Sequence, residues 1–175
     1  YFHSDYQECV LSENREYLFV CRKGTWDEID FIVYRTGDGS VVYEADTTAL
    51  LSQFTQEEEI VSSVCISPDG RYAAAGYYVW YTYETEMLGA IVIADLQTGE
   101  HWVRTDPVYG VFELQFTDDN KLLALTYEDT PESSFLVNIA DVDIQIQCYE
   151  PEDWEVSWKT NVDMQLSLDG GYGIH

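Results

Sequence analysis

Hydrophobic and polar positions alternate along much of this chain, and the alternation recurs in copies. Four segments share it: Cys9 to Tyr17, Val64 to Tyr72, Leu114 to Leu122 and Met164 to Tyr172. Cys9, Val64, Leu114 and Met164 form one apolar column. Leu11, Ile66, Phe116 and Leu166 form a second, two residues on, with the mixed set Val10, Cys65, Gln115 and Gln165 between them. A period of two is the pattern of a strand with one buried face. A Ser or Thr follows at 12, 67, 117 and 167, spaced by 55, 50 and 50 residues. Asp69-Gly70, Asp119-Asn120 and Asp169-Gly170 then supply residues that tolerate positive φ, as a tight hairpin turn demands. Second strands are predicted over 17–21, 72–76 and 122–126, and from Tyr172 onward.

A second hairpin follows in each full copy. Phe31 to Tyr34 leads through Thr36-Gly37-Asp38-Gly39 to Val41-Val42-Tyr43. Ala90 to Ala94 leads through Gln97-Thr98-Gly99 to His101-Trp102-Val103. Phe135 to Ile139 leads through Asp141-Val142-Asp143 to Ile144-Gln145-Ile146. Each copy therefore holds four strands. Helical periodicity is confined to residues 48–54, enough for one short turn.

Repeated sets of four antiparallel strands at this spacing are the pattern of β-propeller blades. Ser67-Pro68-Asp69-Gly70-Arg71-Tyr72 and Ile93-Ala94-Asp95-Leu96-Gln97-Thr98-Gly99-Glu100 resemble the WD40-like and TolB-like propeller repeats over almost the whole chain. The Gly-His signature is absent, and Ala94-Asp95 and Ala140-Asp141 stand where WD40 repeats carry Trp-Asp. A β-sandwich is the alternative all-β reading, but sandwiches lack a regular four-strand repeat. The expected organisation is a partial propeller, with blades near 7–45, 61–105 and 111–149 and the start of a fourth at 162–175. Closed propellers hold roughly 4–8 blades. The count thus predicts a segment of a longer array, completed by the rest of the chain or by another chain.

Charge adds a second theme. The chain has 33 Asp and Glu against 8 Lys and Arg, for a formal net charge of −25. A polyanion such as nucleic acid would be repelled. No apolar run approaches the ~18–20 residues of a membrane span, so no membrane insertion by this segment is expected. In a propeller, the loops between blades and between second and third strands share one end. Sixteen of the 33 acids fall in loops assigned to that end, among them Glu57, Glu58, Glu59, Glu84 and Glu86. The segment Pro151 to Trp158 is assigned there too, adding Trp154 and Trp158. Trp80, Tyr81 and Tyr83 sit in a hairpin five residues longer than its counterpart in the first copy. Together these residues predict an acidic, aromatic-bearing rim for a basic protein partner.

Candidate chemistry is sparse. Cys9, Cys21, Cys65 and Cys148 form no CxxC pair and no zinc spacing, and Cys9 reads as a small core residue. His101 alternates with Trp102 on a strand, and there is no G-x-S-x-G nucleophile motif. Asp38-Gly39 and Asp141-Val142-Asp143 read as hairpin turns, not calcium loops. No catalytic residue, metal ligand or cofactor site is predicted. The expected function is a non-catalytic protein-interaction module of a larger bacterial protein, either cytoplasmic or exported. An accessory propeller gating a hydrolase, as in TolB-like and prolyl-peptidase-like architectures, and a carbohydrate-binding domain are the alternatives.

Overall fold

The computed structural model describes residues 7–23, 29–52, 59–79, 89–105, 110–128 and 143–162. The first sheet holds β1 (Gln7–Leu11), β2 (Tyr17–Lys23), β3 (Ile29–Arg35) and β4 (Val41–Asp46). The second holds β5 (Glu59–Ile66), β6 (Tyr72–Val79), β7 (Ala90–Asp95) and β8 (His101–Arg104). The third holds β9 (Val111–Phe116), β10 (Leu122–Glu128), β11 (Asp143–Tyr149) and β12 (Val156–Val162). Each is a four-stranded antiparallel sheet in simple up-and-down order. A single short helix, α1 (Thr47–Leu51), follows β4 where the 48–54 periodicity predicts a turn. Its Ala49 N–H is capped by the Asp46 carboxylate at 3.0 Å.

The sheets stack face to face around two apolar cores. Between the first and second lie Phe19, Phe31, Val33 and Tyr43 from one side and Ala73, Ala75, Tyr77, Val92 and Ala94 from the other. Between the second and third lie Tyr72, Ala74, Ile91 and Ile93 against Leu114, Phe116, Leu122, Tyr149 and Trp154. In the first of these, the bulky Phe19, Phe31 and Tyr43 meet the small Ala73, Ala75 and Ala94, so the interface fills without overlap. The middle sheet is buried on both faces, and every residue of β7 is buried. A run buried on both sides has no polar alternation, which is why Ala90 to Ala94 reads as continuously apolar.

Strands β1, β5 and β9 neighbour one another along one edge of the stack. Gly76 lets β9 approach, because a Cβ there would lie 2.6 Å from Val111 Cγ1 and 2.9 Å from its Cβ. Ser63 sits at an irregularity in β5, and its hydroxyl accepts the Leu114 N–H of β9 at 3.0 Å.

The third sheet departs from the sequence expectation. Ile144 to Ile146 lies on its third strand, paired with β10, and not on its fourth. The fourth strand is β12, so the sheet runs to Val162 and not to residue 149. Val162, expected to open a fourth blade, ends this strand. Residues 163–175 and the expected strand Phe135 to Ile139 lie outside the described residues. The displaced signal has a cause. The β3–β4 and β7–β8 turns place Gly39 and Gly99 at positive φ, and the β11–β12 turn places Trp154 there, at φ 58°. A hairpin without glycine is invisible to a search for turn residues.

The ungapped repeat is also corrected. Ser12 and Ser67 N–H groups bond to Tyr17 and Tyr72 carbonyls, but Thr117 N–H bonds to Lys121. The third turn is one residue shorter, so Leu122 opposes Phe116 as Ala73 opposes Ile66.

Candidate functional site

The repeated Ser/Thr does one job in all three sheets. The Ser67 hydroxyl donates to Asp69 Oδ1 at 2.7 Å and accepts the Tyr72 N–H at 2.8 Å. Ser12 does the same with Asn14 Oδ1 at 2.7 Å and Tyr17 N–H at 3.0 Å. Thr117 pairs with Asp119 Oδ1 at 2.6 Å and Lys121 N–H at 3.0 Å. The turn then needs one residue at positive φ, supplied by Arg15, Gly70 and Asn120. Gly and Asn tolerate that conformation, whereas Arg15 adopts it without either advantage.

Adjacent turns touch. A Cβ on Gly70 would lie 2.9 Å from the Tyr17 ring. Asn120 donates to Asp69 Oδ2 at 2.7 Å, linking third sheet to second. Asp69 is pulled up by burial, but the Arg71 N–H, Ser67 and Asn120 outweigh that and hold its carboxyl below the ordinary value. Asp95 behaves alike. It is 1% exposed, and burial raises it. Two hydrogen bonds from Arg71, at 3.0 and 2.8 Å, and the N–H groups of Gln97 and Thr98 more than reverse the effect. The Ala94-Asp95 position thus ties the β7–β8 turn to the β5–β6 turn.

The second feature at this end joins sheets two and three. Arg104 of β8 donates to the carbonyls of Trp154 and Asp153 and pairs with Glu155. These contacts hold the β11–β12 turn over the interface. The Trp154 ring enters it, edge-on to Tyr72 with centroids 5.0 Å apart and 6.1 Å from both Trp102 and Phe116. Lys121 pairs with Glu150 at 3.3 Å, which raises its own pKa.

The expected rim residues part company here. Trp154 is fully buried and serves the inter-sheet core, so it offers no binding surface. Because 150–155 joins third and fourth strands, Glu150, Glu152, Asp153 and Glu155 lie at the opposite end from the inter-sheet connections. Four of the sixteen acids therefore leave the predicted face. Trp158 lies on β12 and is 48% exposed. Glu59 opens β5. Glu57, Glu58, Trp80, Tyr81, Tyr83, Glu84 and Glu86 lie outside the described residues.

None of the four cysteines forms a disulfide, and Cys9 is exposed, in contrast to its expected core role. It stands on the face of the first sheet turned away from the second, in register with Val20 and Ile32. Cys9 opposes Val20 of β2. Burial pushes the Cys65 thiol far up. Among the described residues, no three His, Cys, Asp or Glu side chains group as metal ligands. No helix among them is long and apolar enough to cross a membrane.

Arg104 and the Arg71–Asp95 pair escape sequence reasoning, since they join turns distant in the chain. Comparison with known proteins then addresses the fold. No family model matches the chain, and no curated protein does. Solved structures do. An acylaminoacyl peptidase from Pyrococcus horikoshii superposes with TM-score 0.53 at 16% identity, over 83% of this chain and 23% of that one. An acylaminoacyl peptidase in complex with Z-Gly-Gly-Phe-chloromethyl ketone gives TM-score 0.56 at 16% identity, over 90% and 25%. A structure from a study of two prolyl endopeptidases gives 0.50 at 16%, over 96% and 25%. The likeness shows the fold: a partial β-propeller. The chain spans about a quarter of the length of these structures.

Proposed function

We propose that this propeller region is a non-catalytic scaffold for protein interaction. The observation that carries the reading is where its recurring polar side chains go. Ser12, Ser67, Thr117, Asp69 and Asp95 are engaged with backbone N–H groups and neighbouring turns, in the service of the fold. What the repeat leaves for a partner is surface: acidic loops and apolar outer faces.

The partner suited to a chain of net charge −25 is basic. Surface plasmon resonance against a defined basic peptide, at low and high salt, tests this. Affinity should fall at least about tenfold as salt rises, and Glu57→Lys, Glu58→Lys and Glu59→Lys together should weaken it further. An affinity indifferent to salt contradicts the reading.

A second reading is an accessory propeller attached to a hydrolase domain. It draws support from the peptidases among the structural neighbours. Deleting these residues from a polypeptide that carries such a domain should change substrate size selectivity and leave hydrolysis of a minimal ester intact.

A further inference from the structure

The second and third sheets are fastened in two different ways. Along their first strands the backbones themselves come close, β5 and β6 against β9. There Val111 sits over Gly76, the Ser63 hydroxyl accepts the Leu114 N–H, and Asn120 donates to Asp69. At the fourth strands the fastening is a single turn. Residues 150–155 join β11 to β12, and Arg104 of β8 holds them. It donates to the Trp154 carbonyl at 2.5 Å and the Asp153 carbonyl at 3.2 Å, and it pairs with the Glu155 carboxylate.

This turn is closed against opposing forces. Trp154 holds φ 58°, a place taken by Gly39 and Gly99 in the sister turns, and a side chain there is strained. Its indole Nε1–H is buried and has no hydrogen-bond partner among the described residues. A buried donor without an acceptor has lost its water and gained nothing in return. Four carboxylates, Glu150, Glu152, Asp153 and Glu155, crowd this short segment. The cations that pair with them among the described residues are Arg104 and Lys121. Strain, the unpaired donor and the like charges all ease when the turn lifts. Against release stand the hold of Arg104 and the burial of the Trp154 ring among Tyr72, Trp102 and Phe116.

We propose that the β11–β12 turn is a latch. It lifts as a unit while β5, β6 and β9 stay packed, and it carries the Trp154 ring out of the interface. The outer edges of the two sheets then lose their fastening, and the first strands keep theirs. Arg104 is the residue that holds the latch shut, because one guanidinium bonds two carbonyls and a carboxylate of the same turn. Local opening of this kind draws on the least supported contacts of a fold. The latch goes beyond the scaffold reading and does not depend on it: it gives the stack a movable joint between its second and third sheets.

Hydrogen exchange of the whole chain, followed by nuclear magnetic resonance, tests this. The Trp154 indole proton has no bond to break, so its protection reports burial of the ring alone. The Trp154 amide, which donates to the Glu150 carbonyl at 2.8 Å, reports the turn. Both should open together, at least about tenfold more often than the amides of Ala74 in β6 and Ala124 in β10. Arg104→Gln should raise that opening at least about tenfold further and leave Ala74 and Ala124 protected. Arg104→Lys keeps the charge but not the planar fork, and should raise it at least about threefold. If the Gln chain does not fold, the Lys chain decides. A Trp154 indole and amide that open only together with Ala74 and Ala124 overturn the proposal. So does a folded Arg104 variant whose turn opens no more often than the parent's. Either result leaves the scaffold reading standing, since that reading is judged by the salt dependence of basic-peptide binding.

Discussion

Ser67 explains at the scale of one residue why a Ser or Thr recurs along this chain. Its hydroxyl satisfies a backbone N–H that the hairpin leaves without a strand partner, and it orients Asp69 to do the same for Arg71. Ser67→Ala should cost about 1–2 kcal/mol in urea unfolding, since a buried donor loses its acceptor. Trp154 has a conflict built in. Its ring fills the core between two sheets, while its backbone holds the left-handed conformation that Gly39 and Gly99 adopt in the sister turns. Trp154→Ala should cost roughly 3–5 kcal/mol through lost packing. Trp154→Gly removes one more carbon yet should be the more stable of the two by about 0.5–1 kcal/mol, because glycine accepts positive φ without strain. Equal stabilities would mean that the turn is not strained at this position.

Elements differ in how plainly the sequence announces them. The β5–β6 and β9–β10 hairpins are legible because alternation, a hydroxyl residue and a turn residue coincide within nine positions; β1–β2 is legible from alternation and Ser12 alone, since Arg15 holds the positive-φ place. The β3–β4 and β7–β8 hairpins were legible through Gly39 and Gly99. The β11–β12 hairpin was not, because a buried tryptophan replaces the glycine. The next alternating run then reads as a new blade. The same hairpin decides the rim: joining β11 to β12, it places Trp154 in the core and four acids at the far end. The close approach of β9 to β6 is not legible either, since Gly76 stands as an ordinary member of the strand predicted over 72–76 and only its neighbour Val111 explains it. Gly76→Ala should destabilise the chain by about 1–3 kcal/mol, as overpacking against Val111 and Leu114 forces the second and third sheets apart. An unchanged midpoint of denaturation would place β9 farther away.

Across the whole molecule, acidity has no single address. Acids occupy the connections at one end and the turns at the other, so the charge acts on the entire stack. Self-repulsion at neutral pH should weaken the fold, and mild acidification should stabilise it. A second effect opposes this lower down. Asp69 and Asp95 lie below the ordinary value of 3.8 in the folded chain. Their contribution is complete above that value and is lost as pH falls through their folded pKa. Thermal stability should therefore rise from neutrality toward roughly pH 4–5 and fall steeply below it. Asp95→Asn should flatten the acid limb.

The stacking of third sheet on second, through a turn that sequence reasoning placed elsewhere, is the central structural claim. It is tested most directly by nuclear Overhauser effects from the Trp154 indole. The account predicts strong cross-peaks to the Tyr72 ring, whose centroid lies 5.0 Å away, and weaker ones to Phe116 and Trp102. A Trp154 indole with solvent-like shifts and no cross-peak to Tyr72 would contradict it.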